Sequence, residues 1–131
     1  MAYEAKHRFA RIAPRKSRLI MDLVRGRNVD DAISMLRFAK QRASGMVEKV
    51  IRSAVANANE QETANIRNTL YVAKAWVDPG PVIKRFQPKD RGKAYSIHKP
   101  TAHLVVTIDE REDGKAVRPK KVVGGRPGKA R

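Results

Sequence analysis

The hydrophobic pattern of the chain changes period near residue 70, from about 3.6 to 2, and the change divides a helical part from a strand part. Ala43, Met46, Val47, Val50, Ile51, Ala54, Val55 and Ala58 form one stripe at helical spacing, which predicts a long amphipathic helix. Gly45 costs that helix roughly 1 kcal/mol relative to alanine, and the stripe is long enough to absorb it. Upstream, Leu19, Ile20, Leu23 and Val24 predict a shorter helix. Pro14 suits its first turn and Gly26 its C-terminal cap. Asn28 or Asp30 can cap a second helix with Ala32, Ile33, Leu36 and Met35 on its apolar face. Asp30 and Asp31 then stand where the helix dipole favours anions. Residues 57–65 are polar and predict a helix end and a loop. From 70 to 77 the side chains alternate, with Leu70, Val72 and Trp76 on one face and Tyr71, Ala73, Ala75 and Val77 on the other. Residues 104–108 predict a second apolar strand, and the loose alternation over 3–12 a strand or extended arm. Trp76, Met46 and Met35 are expected in the core. The expected fold is α+β, three helices packed on one face of a small antiparallel sheet.

The segment 79–103 does not read as core. Pro79, Pro81, Pro88 and Pro100 interrupt it, and each removes a backbone donor. Lys89-Asp90-Arg91-Gly92-Lys93 at its centre predicts a turn. The segment therefore reads as a long protruding β-hairpin whose tip stands on the order of 30 Å from the body, at about 3.3 Å per residue. An isolated two-stranded hairpin is marginal in water, so a partner is expected to order it. Residues 111–131 are rich in Gly, Pro and cations and predict a basic tail, disordered or RNA-bound, beyond a single domain at 1–110.

Charge identifies the kind of partner. The 131 residues carry 29 Lys and Arg against 13 Asp and Glu, a formal net charge of +16, and the pI is about 10.8. The excess is not spread evenly: residues 1–28 hold +6, 29–78 only +1, 79–103 +5 and 111–131 +6. A nearly neutral body thus carries three cationic projections, which points to a polyanion and first to nucleic acid. A membrane surface is the competitor; it needs a basic amphipathic helix with large apolar side chains, and the first helix is the only support for it. There is no cysteine, which excludes disulfides, thiol nucleophiles and zinc ribbons. No apolar run approaches the roughly 18 residues of a membrane span, and the N-terminus has no secretory h-region.

Candidate contacts follow from chemistry. Lys84, Arg85, Lys89, Arg91, Lys93 and Lys99 of the hairpin can reach phosphates, and Phe86 and Tyr95 can stack on unpaired bases. Lys6, Arg8, Arg11, Arg15, Lys16, Arg18, Arg25 and Arg27 form a second basic set, and Arg118, Lys120, Lys121 and Arg126 a third in the tail. His7 and His103 are expected at phosphate or backbone. With His98 they match no metal-ligand spacing, so no metal site is expected. The tail's Gly-Gly-Arg-Pro-Gly-Lys is not a phosphate loop: Val123 stands where a glycine is needed, and Ala130 where Ser or Thr would hold magnesium. No nucleophile, base and orienting group occur together, so an enzyme is not expected. A DNA-binding architectural protein is the alternative to an RNA-binding one.

Several stretches resemble a known family. They include Ala5-Lys6-His7-Arg8, Lys16-Ser17-Arg18-Leu19, Asp22-Leu23-Val24-Arg25-Gly26, and Ser53-Ala54-Val55-Ala56-Asn57-Ala58 after Val50-Ile51. In the hairpin they are Val77-Asp78, Gly80-Pro81, Lys84-Arg85, Pro88, Arg91-Gly92, Ala94, Ile97, Lys99, Thr101 and His103. Together these resemble the bacterial form of the large-subunit ribosomal protein family numbered twenty-two, over about residues 5–109. The resemblance implies a cytoplasmic structural constituent of the large ribosomal subunit, with no cofactor and no membrane. Its implied partners are 23S-type ribosomal RNA, whose assembly it aids, neighbouring large-subunit proteins, and the nascent polypeptide. It also adds Thr101 and His103 to the RNA-binding set. The hairpin tip, Pro88, Lys89, Asp90, Arg91, Gly92, Lys93 and Ala94, is implied to line the peptide exit tunnel, with Arg91 and Lys93 facing it. The tail after Arg111 departs from the family's common core.

Overall fold

The computed structural model describes residues 2–61 and 70–111; the expected tail, beyond Arg111, lies outside them. Strand β1 (Ala2–Ala10) is followed by helices α1 (Pro14–Val24), α2 (Val29–Phe38) and α3 (Arg42–Gln61), and then by strands β2 (Leu70–Pro79), β3 (Ile83–Pro88), β4 (Ala94–Lys99) and β5 (Ala102–Glu110). β5 runs between β1 and β2, antiparallel to both, and β3 and β4 pair as a separate two-stranded ribbon. The architecture is the α+β arrangement expected from the sequence.

The helices cover one face of the three-stranded sheet. Val47, Val50, Ile51, Ala54 and Ala58 of α3 meet Tyr3 and Ala5 of β1 and Leu104, Val106 and Ile108 of β5 in one buried cluster. The stripe read from the sequence is thus the core face of α3, and small residues along it allow the close approach of helix to sheet. The polar stretch from 57 begins inside the helix, which continues to Gln61; Asn57 donates to the Glu4 carbonyl on the outer edge of β1. α2 starts after Asn28, whose side chain makes no capping bond, and its buried residues are Val29, Ala32 and Leu36, with Ile33 and Met35 partly buried.

Two expected faces are corrected. In α1 the buried side is Ser17, Ile20, Met21 and Val24, whereas Leu19 and Leu23 are exposed. Both sets have helical spacing. Ser17 can enter the core because its hydroxyl donates to the Ala13 carbonyl (3.3 Å). The chosen rotation also aims Arg18 and Arg25, two turns apart, at β2. In β2 the register shifts between Val72 and Lys74, so the buried positions pass from Leu70 and Val72 to Ala75 and Val77. Trp76 consequently leaves the core for the opposite face, and its indole N–H donates to Asp78.

That rotation of α1 protects the sheet. β2 is an edge strand, and free edge carbonyls invite pairing with another chain. Gly26, with φ +79°, donates to the Val72 carbonyl, and Val72 donates back to Arg27. Farther along, the Arg25 guanidinium donates twice to the Ala75 carbonyl (2.5 and 3.2 Å), and Arg18 donates to Val77 (3.4 Å).

The ribbon is held by its neck. β2 and β5 pair as far as Pro79 opposite Ala102, and β3 and β4 resume at Ile83 opposite Lys99. Between them Gly80 donates to the Thr101 carbonyl, and the buried Thr101 hydroxyl donates to the Pro81 carbonyl (2.6 Å). A Cβ at Gly80 would overlap the Thr101 hydroxyl, so any side chain there would have to displace the group that closes the neck. Beyond the neck only Ile83 and Ile97 are even partly buried, so the ribbon shares no core with the body. Its six paired positions span roughly 20 Å, with the neck below them and the tip turn above.

Two outcomes follow. Excising residues 82–98 and closing the gap with a short turn leaves cooperative thermal unfolding intact; a broad, non-cooperative transition would show that the ribbon belongs to the core. Arg25→Ala removes two bonds to an edge carbonyl and lowers stability by about 1 kcal/mol, whereas Arg15→Ala at an exposed position stays within about 0.5 kcal/mol. Denaturant titration of the two variants measures the difference.

Candidate nucleic-acid interface

Cations from three parts of the chain meet at the foot of the ribbon. A cleft of about 650 Å³ is lined by Arg11, Ile12, Ala13 and Lys16 from the β1–α1 junction, Arg42 at the start of α3, and His98, Lys99 and Pro100 at the end of β4. No carboxylate lines it. Elsewhere three carboxylates hold cations: Glu48 pairs with Arg52 (2.6 Å) and Arg37 (3.4 Å), Asp22 with Arg25 (2.9 Å) and Glu4 with Lys6 (2.5 Å). Like charges collected around an empty space repel one another, and an anion entering that space relieves the repulsion.

Arg42 is absent from the candidates read from sequence because it lies in the nearly neutral middle of the chain. A signal was present. Arg42 opens a helix whose first turn has no acidic residue, where the helix dipole disfavours a cation. A cation kept at such an end is placed for something outside the helix.

On the ribbon, register decides which side chains share a face. Ile83, Arg85, Gln87, Tyr95, Ile97 and Lys99 lie on one side, and Lys84, Phe86, Pro88, Ala94, Ser96 and His98 on the other. Each side therefore carries at least one cation, Arg85 and Lys99 or Lys84, and one exposed aromatic ring, Tyr95 or Phe86. The Lys89 ammonium stands 4.6 Å from the centre of the Tyr95 ring. At the tip, Asp90–Gly92 form a single 3-10 turn closed by a Lys89–Lys93 backbone bond (2.8 Å). Arg91 and Gly92 both have positive φ there (56° and 70°). Pro88, Asp90, Arg91, Lys93 and Ala94 are all exposed.

At the other end of the interface β1 breaks register between His7 and Ala10. Phe9 lies in the left-handed region (φ 56°) and is 54% exposed. Its backbone N–H donates to Nδ1 of His103 (3.0 Å), and its ring meets the imidazole edge to face at 4.9 Å. The Arg8 guanidinium lies 5.2 Å from the centre of the same ring.

The remaining candidates divide by role. Lys6, His7, Arg8, Arg11, Arg15 and Lys16 are exposed on β1 and on the approach to and first turn of α1. Arg18 and Arg25 serve the β2 edge, and Arg27 donates to the Leu23 carbonyl (2.8 Å). Thr101 is buried as the neck clasp, and His103 seats Phe9. Arg118, Lys120, Lys121 and Arg126 lie outside the described residues. Among the described residues no helix is long and apolar enough to cross a membrane.

Comparison with known proteins gives one consistent result. Residues 5–109 match the family described as ribosomal protein L22p/L17e. The large ribosomal subunit protein uL22 of Geobacter sulfurreducens is 47% identical over 112 residues, 86% of this chain and all of that protein. Its counterpart from Thermoanaerobacter pseudethanolicus is 46% identical over 112 residues, with the same coverage. That of Bdellovibrio bacteriovorus is 42% identical over 111 residues, again across its whole length. The neck, ribbon and basic cleft described above fall within the matched span, as does the core apart from Tyr3, and the chain belongs to the L22p/L17e family of ribosomal proteins.

Proposed function

We propose that this chain is a non-enzymatic structural constituent of the large ribosomal subunit that acts in the cytoplasm by binding 23S-type ribosomal RNA. Residues 1–110 are the RNA-binding unit. The cleft at the foot of the ribbon takes the phosphate backbone, and the ribbon enters the folded RNA. The observation that carries this reading is the two-sided ribbon: at least one cation and an aromatic ring on each face suit an element surrounded by RNA rather than one lying on it. Affinity comes largely from counterions released as Lys and Arg neutralise phosphates. Because cleft, ribbon and β1 present separate surfaces, one molecule can hold several RNA segments together, which raises their effective concentration and aids assembly.

The tip, Pro88 to Ala94, lines the nascent-peptide exit tunnel in this reading. Arg91 and Lys93 face the passing polypeptide, and neighbouring large-subunit proteins pack on surfaces the RNA leaves free. A DNA-binding architectural role is the alternative. It fits the charge and leaves the paired aromatic faces of the ribbon without a purpose, since bases in a duplex are already stacked.

Binding of the full chain to large-subunit rRNA is expected to weaken steeply with salt and to survive competition by duplex DNA. Replacing Arg11, Lys16, Arg42 and Lys99 together by glutamine lowers the log–log salt slope by roughly 3, from about 0.7 to 0.9 per phosphate contact. An unchanged slope would remove the cleft from the interface, and equal competition by DNA would favour the alternative. A photocrosslinker at position 91 in translating ribosomes is expected to label nascent chains; labelling of RNA alone would place the tip away from the tunnel.

A further inference from the structure

The face of the sheet that the helices leave open is not featureless. Alternation places Glu4 and Lys6 of β1, Lys74, Trp76 and Asp78 of β2, and His103, Val105 and Thr107 of β5 on it. It ends at the ribbon neck, where Phe9 sits against His103.

Three features of Phe9 require explanation together. A bulky non-glycine residue rarely adopts positive φ, and such positions persist only where the surroundings hold them. Here the holder is identifiable. The Phe9 N–H donates to His103 Nδ1, which leaves Nε2 as the protonated nitrogen of the neutral ring. The conformation gains nothing for the core, since the ring it displays is 54% exposed. A β-bulge at this point re-aims a side chain, and the side chain it re-aims is a large flat aromatic. The neighbourhood is cationic: the Arg8 guanidinium lies over the ring, and Arg11 of the cleft follows two residues later.

We propose that Phe9, seated on His103 at the root of the ribbon, is a stacking platform for one unpaired base of the bound RNA. The T-shaped contact with His103 and the Arg8 guanidinium over the ring fix its orientation, so the part that stays exposed is pre-positioned. Arg8 and Arg11 hold the phosphates on either side of that nucleotide. A hydrophobic protein contact would not call for flanking guanidinium groups, and a phosphate contact would not call for an aromatic ring. An unpaired nucleotide uses both. This inference rests on the RNA-binding reading above and adds to it a specific base-contacting residue.

The experiment measures binding of the full chain to large-subunit rRNA and to a fully paired RNA duplex, each across a range of salt. Phe9→Gly suits the left-handed backbone and removes the ring. It is expected to weaken rRNA binding at least about fivefold, with the salt slope unchanged because no cation is lost. Duplex binding is expected to stay as it was, and Phe9→Tyr to bind rRNA within twofold of the parent. If the glycine variant fails to fold, Phe9→Leu, apolar without a π face, is read in its place with the same expectation. Undiminished rRNA binding by the ring-less variant overturns the inference, as does an equal loss in Phe9→Tyr. Either result leaves the RNA-binding reading standing if the parent chain still binds rRNA in a steeply salt-dependent way. Loss of that salt dependence in the parent would remove both.

Discussion

A strand hydrogen-bonded on both edges and buried on both faces has no freedom to slip, and β5 is such a strand. Leu104, Val106 and Ile108 face the helices, while Val105 and Thr107 are covered on the other side. A slip of one residue would exchange these sets and turn polar positions into the helical layer. Register fixed in β5 then dictates much else. It places Thr101 against Gly80 to form the neck, sets His103 beside Phe9, and brings the N-terminal arm and the ribbon root to the same end of the sheet. The cationic cleft depends on that juxtaposition, because its residues come from segments far apart in the chain.

Within this frame the cations do two kinds of work. Arg18, Arg25 and Arg27 donate to backbone carbonyls. An arginine at a sheet edge satisfies an acceptor that water would otherwise hold, and its charge discourages a second chain from docking there. On the ribbon Arg85 donates only to the adjacent Lys84 carbonyl and Lys89 lies over Tyr95, which ties neither to the body, and the mutual repulsion of the cleft and ribbon cations opposes folding slightly at low salt. A protein for which folding alone mattered would gain by replacing them. Their accumulation where no carboxylate answers them is therefore a statement about a partner, in a way that the total charge is not. Composition counts Arg25 and Lys99 alike; geometry separates them.

Most of the architecture was legible in the sequence because α3, β5 and the proline-bounded ribbon each carry a long or repeated signal. What was not legible turned on single-residue choices of phase. In α1 two stripes with equal helical spacing compete, and tertiary demands, Arg18 and Arg25 reaching for β2, select the one containing Ser17 over the one with Leu19 and Leu23. In β2 one bulge reverses the alternation and moves Trp76 from core to surface. A register shift leaves little trace in composition, since both phases of that strand are rich in apolar residues. Phe9 was passed over for the same reason: alternation in β1 would bury it, and only the bulge exposes it. Arg42 was missed because proximity to the ribbon foot is a property of the fold, and Thr101 reads as a surface residue until its hydroxyl is seen closing the neck.

The ribbon is under a further constraint. Two strands without a covering layer bury too little apolar surface to be stable by themselves, and here only Ile83 and Ile97 are partly shielded. The backbone nonetheless specifies one arrangement, through a neck closed by Gly80 and Thr101 at one end and a tip closed by Lys89 and Lys93 at the other. Fixing both ends while leaving both faces uncovered limits the entropy that remains to be lost on binding, and reserves every side chain for contact. An element designed to pack on its own body would concentrate apolar residues on one side. Here each side mixes apolar and polar groups, Ile83, Ile97, Arg85 and Lys99 on one and Phe86, Pro88, Lys84 and Ser96 on the other, so the ribbon finds its stabilising layer in an environment that meets it from both directions.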